Sequence, residues 1–331
     1  MRFAGGYLIV CFFAVTHTAM GELSPEQKLQ QAGLAGIPVK PSVTDPAIQD
    51  FDSPHYIFVD RSIILSNGPS AAKDRHELFL YLTGTGGTGR TAVAFCRLAA
   101  RSGYRVINLM YTDSIPAAVV RNSSDPKAFE AFRMAIIAGG ETQWITVSRT
   151  ESIENRLIKL LMYLKRTRPR ERWGQFLSPS GVLNWEMIAV GGQSQGGGHA
   201  ALLGIKHRMA RVIGTGAPKD YSIALQGPAD WYSQESVTPK ERFFFFNHQQ
   251  DHQGCDPQQC LQNMQALGLD KLGAPADVDQ TPFPYRHSHI LTTNYPGTIK
   301  NPIRILDIIK TTIIAISITC SCISSLGLIN K

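Results

Sequence analysis

The chain has 331 residues, of which 43% are apolar and 18% charged, and a formal net charge of +7. That balance belongs to a globular protein with a sizeable core, and it excludes a disordered or fibrous chain. The charge is dispersed: its densest cluster, Arg166, Arg168, Arg170 and Arg172, is broken by Pro169 and reads as a solvated helix end, so nothing marks a nucleic-acid surface.

In chain order, residues 1–21 come first. Arg2, the apolar run Phe3 to Val15 and small residues at Ala19 and Gly21 give the layout of a secretory signal peptide cleaved before Glu22. The run is short for a membrane span, so a secreted or extracytoplasmic protein is expected. Residues 22–50 carry Pro25, Pro38, Pro41 and Pro46 with little periodicity and are expected to wrap the surface irregularly. His55 to Val59 and Ser62 to Ser66 read as two short strands turning at Asp60-Arg61. Leu78 to Leu82 is wholly apolar, as a strand buried on both faces would be. It runs into Thr83-Gly84-Thr85-Gly86-Gly87-Thr88-Gly89, a helical pattern through Ala92, Phe95, Leu98 and Ala99, and a second buried strand, Val106 to Met110.

A short helix is expected around Phe129 to Ile137, after a glycosylation sequon at Asn122. Ile153, Leu157, Leu160, Leu161 and Leu164 recur at helical spacing and predict an amphipathic helix over 151–165. Met187 to Val190 predicts a strand and Ala200 to Leu203 a helix. Further strands follow at Val212 to Gly214, Phe243 to Phe246 and Ala276 to Val278, with a helix near Cys260 to Leu267. Between strands, Trp231 and Tyr232 mark a segment, 219–240, that either lines a pocket or packs as a surface loop. Strands alternating with helices imply an α/β fold with a mostly parallel central sheet and helices on both faces. Cys255 and Cys260 are close enough to pair in an oxidising compartment, whereas Cys96 falls in a core pattern.

The chemistry concentrates at Gly192-Gln193-Ser194-Gln195-Gly196, a G-x-S-x-G set between a strand and a helix. Small residues two positions either side of Ser194 let strand and helix pass closely around a strained turn. The helix N-terminus beside it favours developing negative charge. A serine hydroxyl needs a base, and the base needs an orienting acid. Downstream stand Asp251, in the loop after the phenylalanine strand, and His289, in the loop after the last expected strand. His287 is the rival base and Asp220 the rival acid. His248 and His252 read as surface residues or weak metal ligands, and His199 as a satisfied helix histidine. With neither HExxH nor a paired CxxC, no metal site is expected.

With its elbow, its glycine-rich loop and its Ser–Asp–His order, the stretch of roughly 55–295 resembles the α/β-hydrolase superfamily, in a secreted branch. The resemblance implies a catalytic domain over 51–310 and carboxylic-ester hydrolysis of a small molecule by Ser194, His289 and Asp251, without a cofactor. It implies an oxyanion hole from the N–H groups of Gln195 and Thr85. Two further readings stand beside it. Gly84, Gly86 and Gly89 form a G-x-G-x-x-G between strand and helix, with Asp113 about 24 residues on, as in a dinucleotide-binding oxidoreductase. A non-enzymatic binder of the same fold is the second. Finally, Thr311 to Asn330 is uncharged for twenty residues but holds seven Ser or Thr, leaving membrane contact to this tail alone, as a weak anchor, a removed lipid-anchor signal or an atypical end.

Overall fold

The computed structural model describes residues 24–66 and 73–295. The expected signal peptide over 1–21 and the tail over 311–331, with the expected boundary at 310, lie outside them. The main sheet has nine strands: β1 (Ile37–Val39), β2 (His55–Val59), β3 (Leu78–Leu82), β4 (Arg105–Leu109), β5 (Ile188–Gln193), β6 (Arg211–Thr215), β7 (Phe243–His248), β8 (Ala276–Asp277) and β9 (Ile290–Thr293). Their spatial order is β1-β2-β4-β3-β5-β6-β7-β9-β8. β1 and β2 are antiparallel to their neighbours, and every pairing from β4 to β8 is parallel.

Alternation within the central strands divides the core. Leu78, Leu80 and Leu82 of β3 point to one face, Phe79 and Tyr81 to the other. The first face is covered by α5 (Ala128–Ala138), α6 (Ile153–Thr167), α7 (Gln195–Lys206) and α8 (Pro257–Ala266). The second is covered by α4 (Val93–Arg101) and, at the edge, α1 (Pro25–Gln31); the single turns α2 (Pro41–Thr44) and α3 (Arg61–Ile64) complete the α-helices of the described residues. Burial of each Leu-sized side chain stabilises by about 1.5–3 kcal/mol, which explains strands apolar on both sides.

The structure departs from the sequence reading in three places. The segment 22–50 is less irregular than expected: Ser24 and Gln27 form a capping box that starts α1, and β1 pairs along β2. Residues 61–64 are a helical turn rather than a strand, because Asp60 caps it by accepting from the Ser62 N–H at 3.0 Å. At the far edge, Ala276–Asp277 is an edge strand and Ile290–Thr293 slots between it and β7. The sheet therefore continues past His289, and this moves that histidine away from where a loop after the last strand would carry it.

Candidate active site

Ser194 sits between β5 and α7 with φ 52° and ψ −114°, a left-handed backbone that costs an L-residue of order 1–3 kcal/mol and persists only where its surroundings enforce it. Here β6 enforces it, through the Ser194 N–H donating to the Thr215 carbonyl at 2.9 Å. The two glycines of the motif are required by approach. A Cβ on Gly192 would lie 2.4 Å from the Gly196 carbonyl carbon, and one on Gly196 would lie 2.0 Å from the Leu82 oxygen. Strand, turn and the start of the glycine loop thus meet backbone to backbone.

Ser194 opens on a cavity of about 190 Å³ that Thr85, Ala117, Gln195, Lys219 and Gln253 help to line. The Gln195 N–H is the first of its helix and has no carbonyl one turn back. The Thr85 N–H, among the described residues, donates to no carbonyl. Two donors without a carbonyl partner therefore belong to residues lining the same cavity as Ser194. The Gln195 carboxamide oxygen accepts from Thr85 Oγ1 at 3.0 Å and from the Ala117 N–H at 2.9 Å, tying both neighbouring loops to the elbow.

The glycine-rich loop is committed to this wall. Thr83 Oγ1 donates to the Asp113 carboxylate at 3.2 Å, the Gly86 N–H to the Asp113 carbonyl at 3.0 Å, and the Tyr111 hydroxyl to the Thr83 carbonyl at 2.5 Å. A Cβ on Gly84 would strike Gln193 at 2.3 Å. Asp113, the residue a dinucleotide reading assigns to a ribose, is buried and turned into the loop, and burial pushes its pKa up to about 6 against the opposing Thr83 and Gly87 bonds. The geometry opposes that reading.

Asp251 is in the expected loop, but it faces a lysine and not a histidine. Lys219 Nζ donates to Asp251 Oδ2 at 2.8 Å and to the Gln253 carbonyl at 2.7 Å, while Asp251 Oδ1 accepts from the Gln253 N–H. His289 is not brought to Ser194. Gln193, Thr215, Phe246 and Leu291 are level across the sheet, so His289 lies three strands over and three residues below the serine. At about 4.8 Å per strand and 3.3 Å per residue, that is roughly 17 Å. Its Nδ1 meets the Phe243 carbonyl at 2.9 Å and its ring stacks on Phe244. Burial lowers its pKa and keeps it neutral there. His287 precedes it on the same approach to β9. The physical reason is β9 itself: Ile290 and Leu291 do not anchor a loop but begin a strand.

Contacts decide the roles of the remaining polar residues. Asp220 is locked against Arg133, Nε to Oδ2 at 2.5 Å and Nη2 to Oδ1 at 2.6 Å, with both side chains 1% exposed. Burial works against the Arg133 charge, and the facing carboxylate outweighs it, so the arginine pKa is raised. Arg133 Nη1 also donates to the Gln195 carbonyl at 3.0 Å. This buried pair under the elbow is what the sequence reading missed. Its only signal was a lone arginine within Ala-Phe-Arg-Met-Ala-Ile-Ile. Trp231 and Tyr232 are buried and brace the same pair: the indole donates to Asp220 Oδ2 at 3.1 Å, and the Tyr232 hydroxyl accepts from the Asp220 N–H. His199 is buried and held neutral by burial and by Arg133. His252 is exposed, one residue before the cavity-lining Gln253, with Nδ1 3.2 Å from Asp256 Oδ2. Cys255 and Cys260 stand as buried free thiols, not as the expected disulfide, with a thiol–thiol hydrogen bond joining them.

The strand order, the parallel centre and a left-handed serine between the fifth strand and its helix define an α/β-hydrolase fold. No protein-family model and no curated protein sequence matches the chain. Among solved structures it is similar to the S-formylglutathione hydrolase of Staphylococcus aureus, with 12% identity and a TM-score of 0.45 over 85% of this chain and 98% of that one. It is also similar to Thermogutta terrifontis esterase 2 phosphoramylated by tabun (12%, TM-score 0.41, 85% and 94% covered). A third likeness is to an α/β hydrolase from a Medee basin deep-sea metagenome library (13%, TM-score 0.36, 79% and 81% covered).

Proposed function

We propose that the protein is a serine hydrolase that cleaves small carboxylic esters through an acyl-enzyme on Ser194. The observation that carries this reading is the strained serine at the mouth of a cavity, flanked by the unengaged N–H groups of Gln195 and Thr85. Ser194 Oγ attacks the ester carbonyl carbon and passes its proton to a base. The two N–H groups hold the oxyanion, each such donor contributing about 10²–10³ in rate. Collapse expels the alcohol, which takes the proton, and water then releases the acid by the same steps.

The base on this reading is His252 rather than His289. It belongs to the loop that supplies Gln253 to the cavity, and its Nδ1 faces the Asp256 carboxylate, the orientation that leaves Nε2 to accept a proton. Asp251 and Lys219 hold that loop in place.

A fluorophosphonate probe, followed by peptide mass spectrometry, tests the nucleophile. Labelling at Ser194 that is lost in Ser194→Ala supports the proposal. Absence of labelling in the intact protein leaves the non-enzymatic binder of the same fold. A histidine scan tests the base separately: His252→Ala abolishes ester turnover and His289→Ala does not, and the opposite result moves the base without touching the nucleophile.

A further inference from the structure

The Ser194 cavity, at about 190 Å³, is smaller than the roughly 300–1,000 Å³ of most small-molecule sites, so it fits a short acyl group and little else. The rest of an ester must lie outside it. A second cavity of about 510 Å³ stands directly beside it, above the C-terminal end of β4. One stretch of chain forms the partition: Pro116, Ala117 and Ala118 face the serine side, while Thr112, Ser114 and Ile115 face the other. In the sheet, β4 is two strands from β5, roughly 10 Å.

The chemistry of this second cavity is distinctive. Trp144 presents a partly exposed ring, and around it stand the hydroxyls of Thr112, Ser114 and Thr146 and the carboxylate of Asp50. Among the described residues, none of these side-chain groups has a hydrogen-bond partner, and neither has the Trp144 indole N–H. Glu151, also in the wall, is by contrast fully used: it accepts from the Gln49 and Asp50 N–H groups at 2.7 and 3.2 Å and from Arg156. The available groups are thus several donors and acceptors set around one flat apolar face. Arg156 neutralises Glu151, so the charge left on this wall is that of Asp50, which disfavours an anionic ligand.

We infer that the second cavity is a subsite for a neutral sugar ring, which stacks on Trp144 while its hydroxyls pair with Thr112, Ser114, Thr146 and Asp50. This rests on the serine-hydrolase reading and sharpens it: the ester is a short-chain acyl group carried on a carbohydrate. The acyl carbonyl enters the Ser194 cavity and the sugar that bears it, or the next one along, crosses the partition.

The test separates the two readings. Isothermal titration of the Ser194→Ala protein with xylotetraose, cellotetraose and chitotetraose measures binding without turnover. At least one is expected to give a saturable heat that Trp144→Ala weakens by about tenfold or more, while Trp144→Phe, which keeps a stacking face, retains most of it. No saturable heat with any of the three, or equal affinity in Trp144→Ala, overturns the subsite. Where Trp144→Ala does not fold, Thr112→Val takes its place. Second, the ratio of deacetylation rates, acetylated xylotetraose over 4-methylumbelliferyl acetate, is expected to fall about tenfold in Trp144→Ala and to recover in Trp144→Phe. An unchanged ratio overturns the assignment of the carbohydrate to the substrate. Loss of fluorophosphonate labelling with oligosaccharide binding intact sinks the hydrolase reading and leaves the subsite standing.

Discussion

Asp220→Ala is the most informative single change for the architecture under the elbow. The carboxylate pairs with Arg133 through two short hydrogen bonds and receives a third from the Trp231 indole, in a setting where both charged side chains are 1% exposed. Its removal leaves a guanidinium buried without its counter-charge, and breaking such a pair costs about 3–5 kcal/mol. With a urea slope of about 3 kcal/mol per molar for a domain of this size, the unfolding midpoint falls by about 1–1.7 M. Arg133 also holds the Gln195 carbonyl, so turnover falls with stability. The assay is urea unfolding followed by circular dichroism, beside Asp251→Ala as a control that breaks a more exposed contact. The double variant Arg133→Met/Asp220→Leu, which removes both charges, is expected to recover much of the midpoint. A midpoint shift below about 0.3 M for Asp220→Ala alone refutes the buried pair as a structural element and returns Asp220 to the set of catalytic acids.

Ser194→Ala is expected to lower ester turnover by about 10³-fold or more with the melting temperature nearly unchanged, whereas Ser194→Gly is equally inactive but melts higher, since glycine relieves the left-handed backbone. His289→Ala is expected to cost stability but less than about threefold in kcat/KM for a small ester, because its ring packs on Phe244 far from the serine. Asp113 has a pH signature. Its folded pKa, about 6, lies above the ordinary 3.8, so its contribution is fully present below pH 3.8 and is lost as pH rises through 6. Asp113→Asn lacks that slope, and its stability relative to the parent is expected to rise by up to about 3 kcal/mol between pH 4 and 7. A pH-independent difference in unfolding free energy counts against this.

Most of the fold is written in local pattern. β3, β4, β5 and β7 are apolar runs of strand length, α6 has its leucines at helical spacing, and the elbow has glycines where backbones touch. Edge elements escaped because their burial is one-sided or brief: β1 is three residues long, and Thr292 and Thr293 leave β9 without an apolar run. That one omission displaced His289, since a residue just before a parallel strand and one just after it lie at opposite edges of the sheet. Of the candidate site, the meeting of Ser194, Gln195 and Thr85 at one cavity was legible, since it follows from the turn. Side-chain pairings across long separations were not legible. Lys219 with Asp251 and Arg133 with Asp220 join elements 32 and 87 residues apart, and nothing in local spacing distinguishes Lys219 from any other surface lysine.

The Gln195 carboxamide has a consequence for engineering. By holding the Thr85 hydroxyl and the Ala117 N–H on one oxygen, it couples the glycine-rich loop to the loop that partitions the two cavities. A graft of a foreign 113–118 segment, the natural way to widen acyl preference on the proposed hydrolase reading, would release Thr85 as well unless the new loop returned an N–H to the same place. On the serine-hydrolase proposal, selectivity and rate are therefore not independent variables on this scaffold. A library that randomises the partition while holding position 117 as a non-proline residue keeps that donor, and one that admits proline there forfeits it.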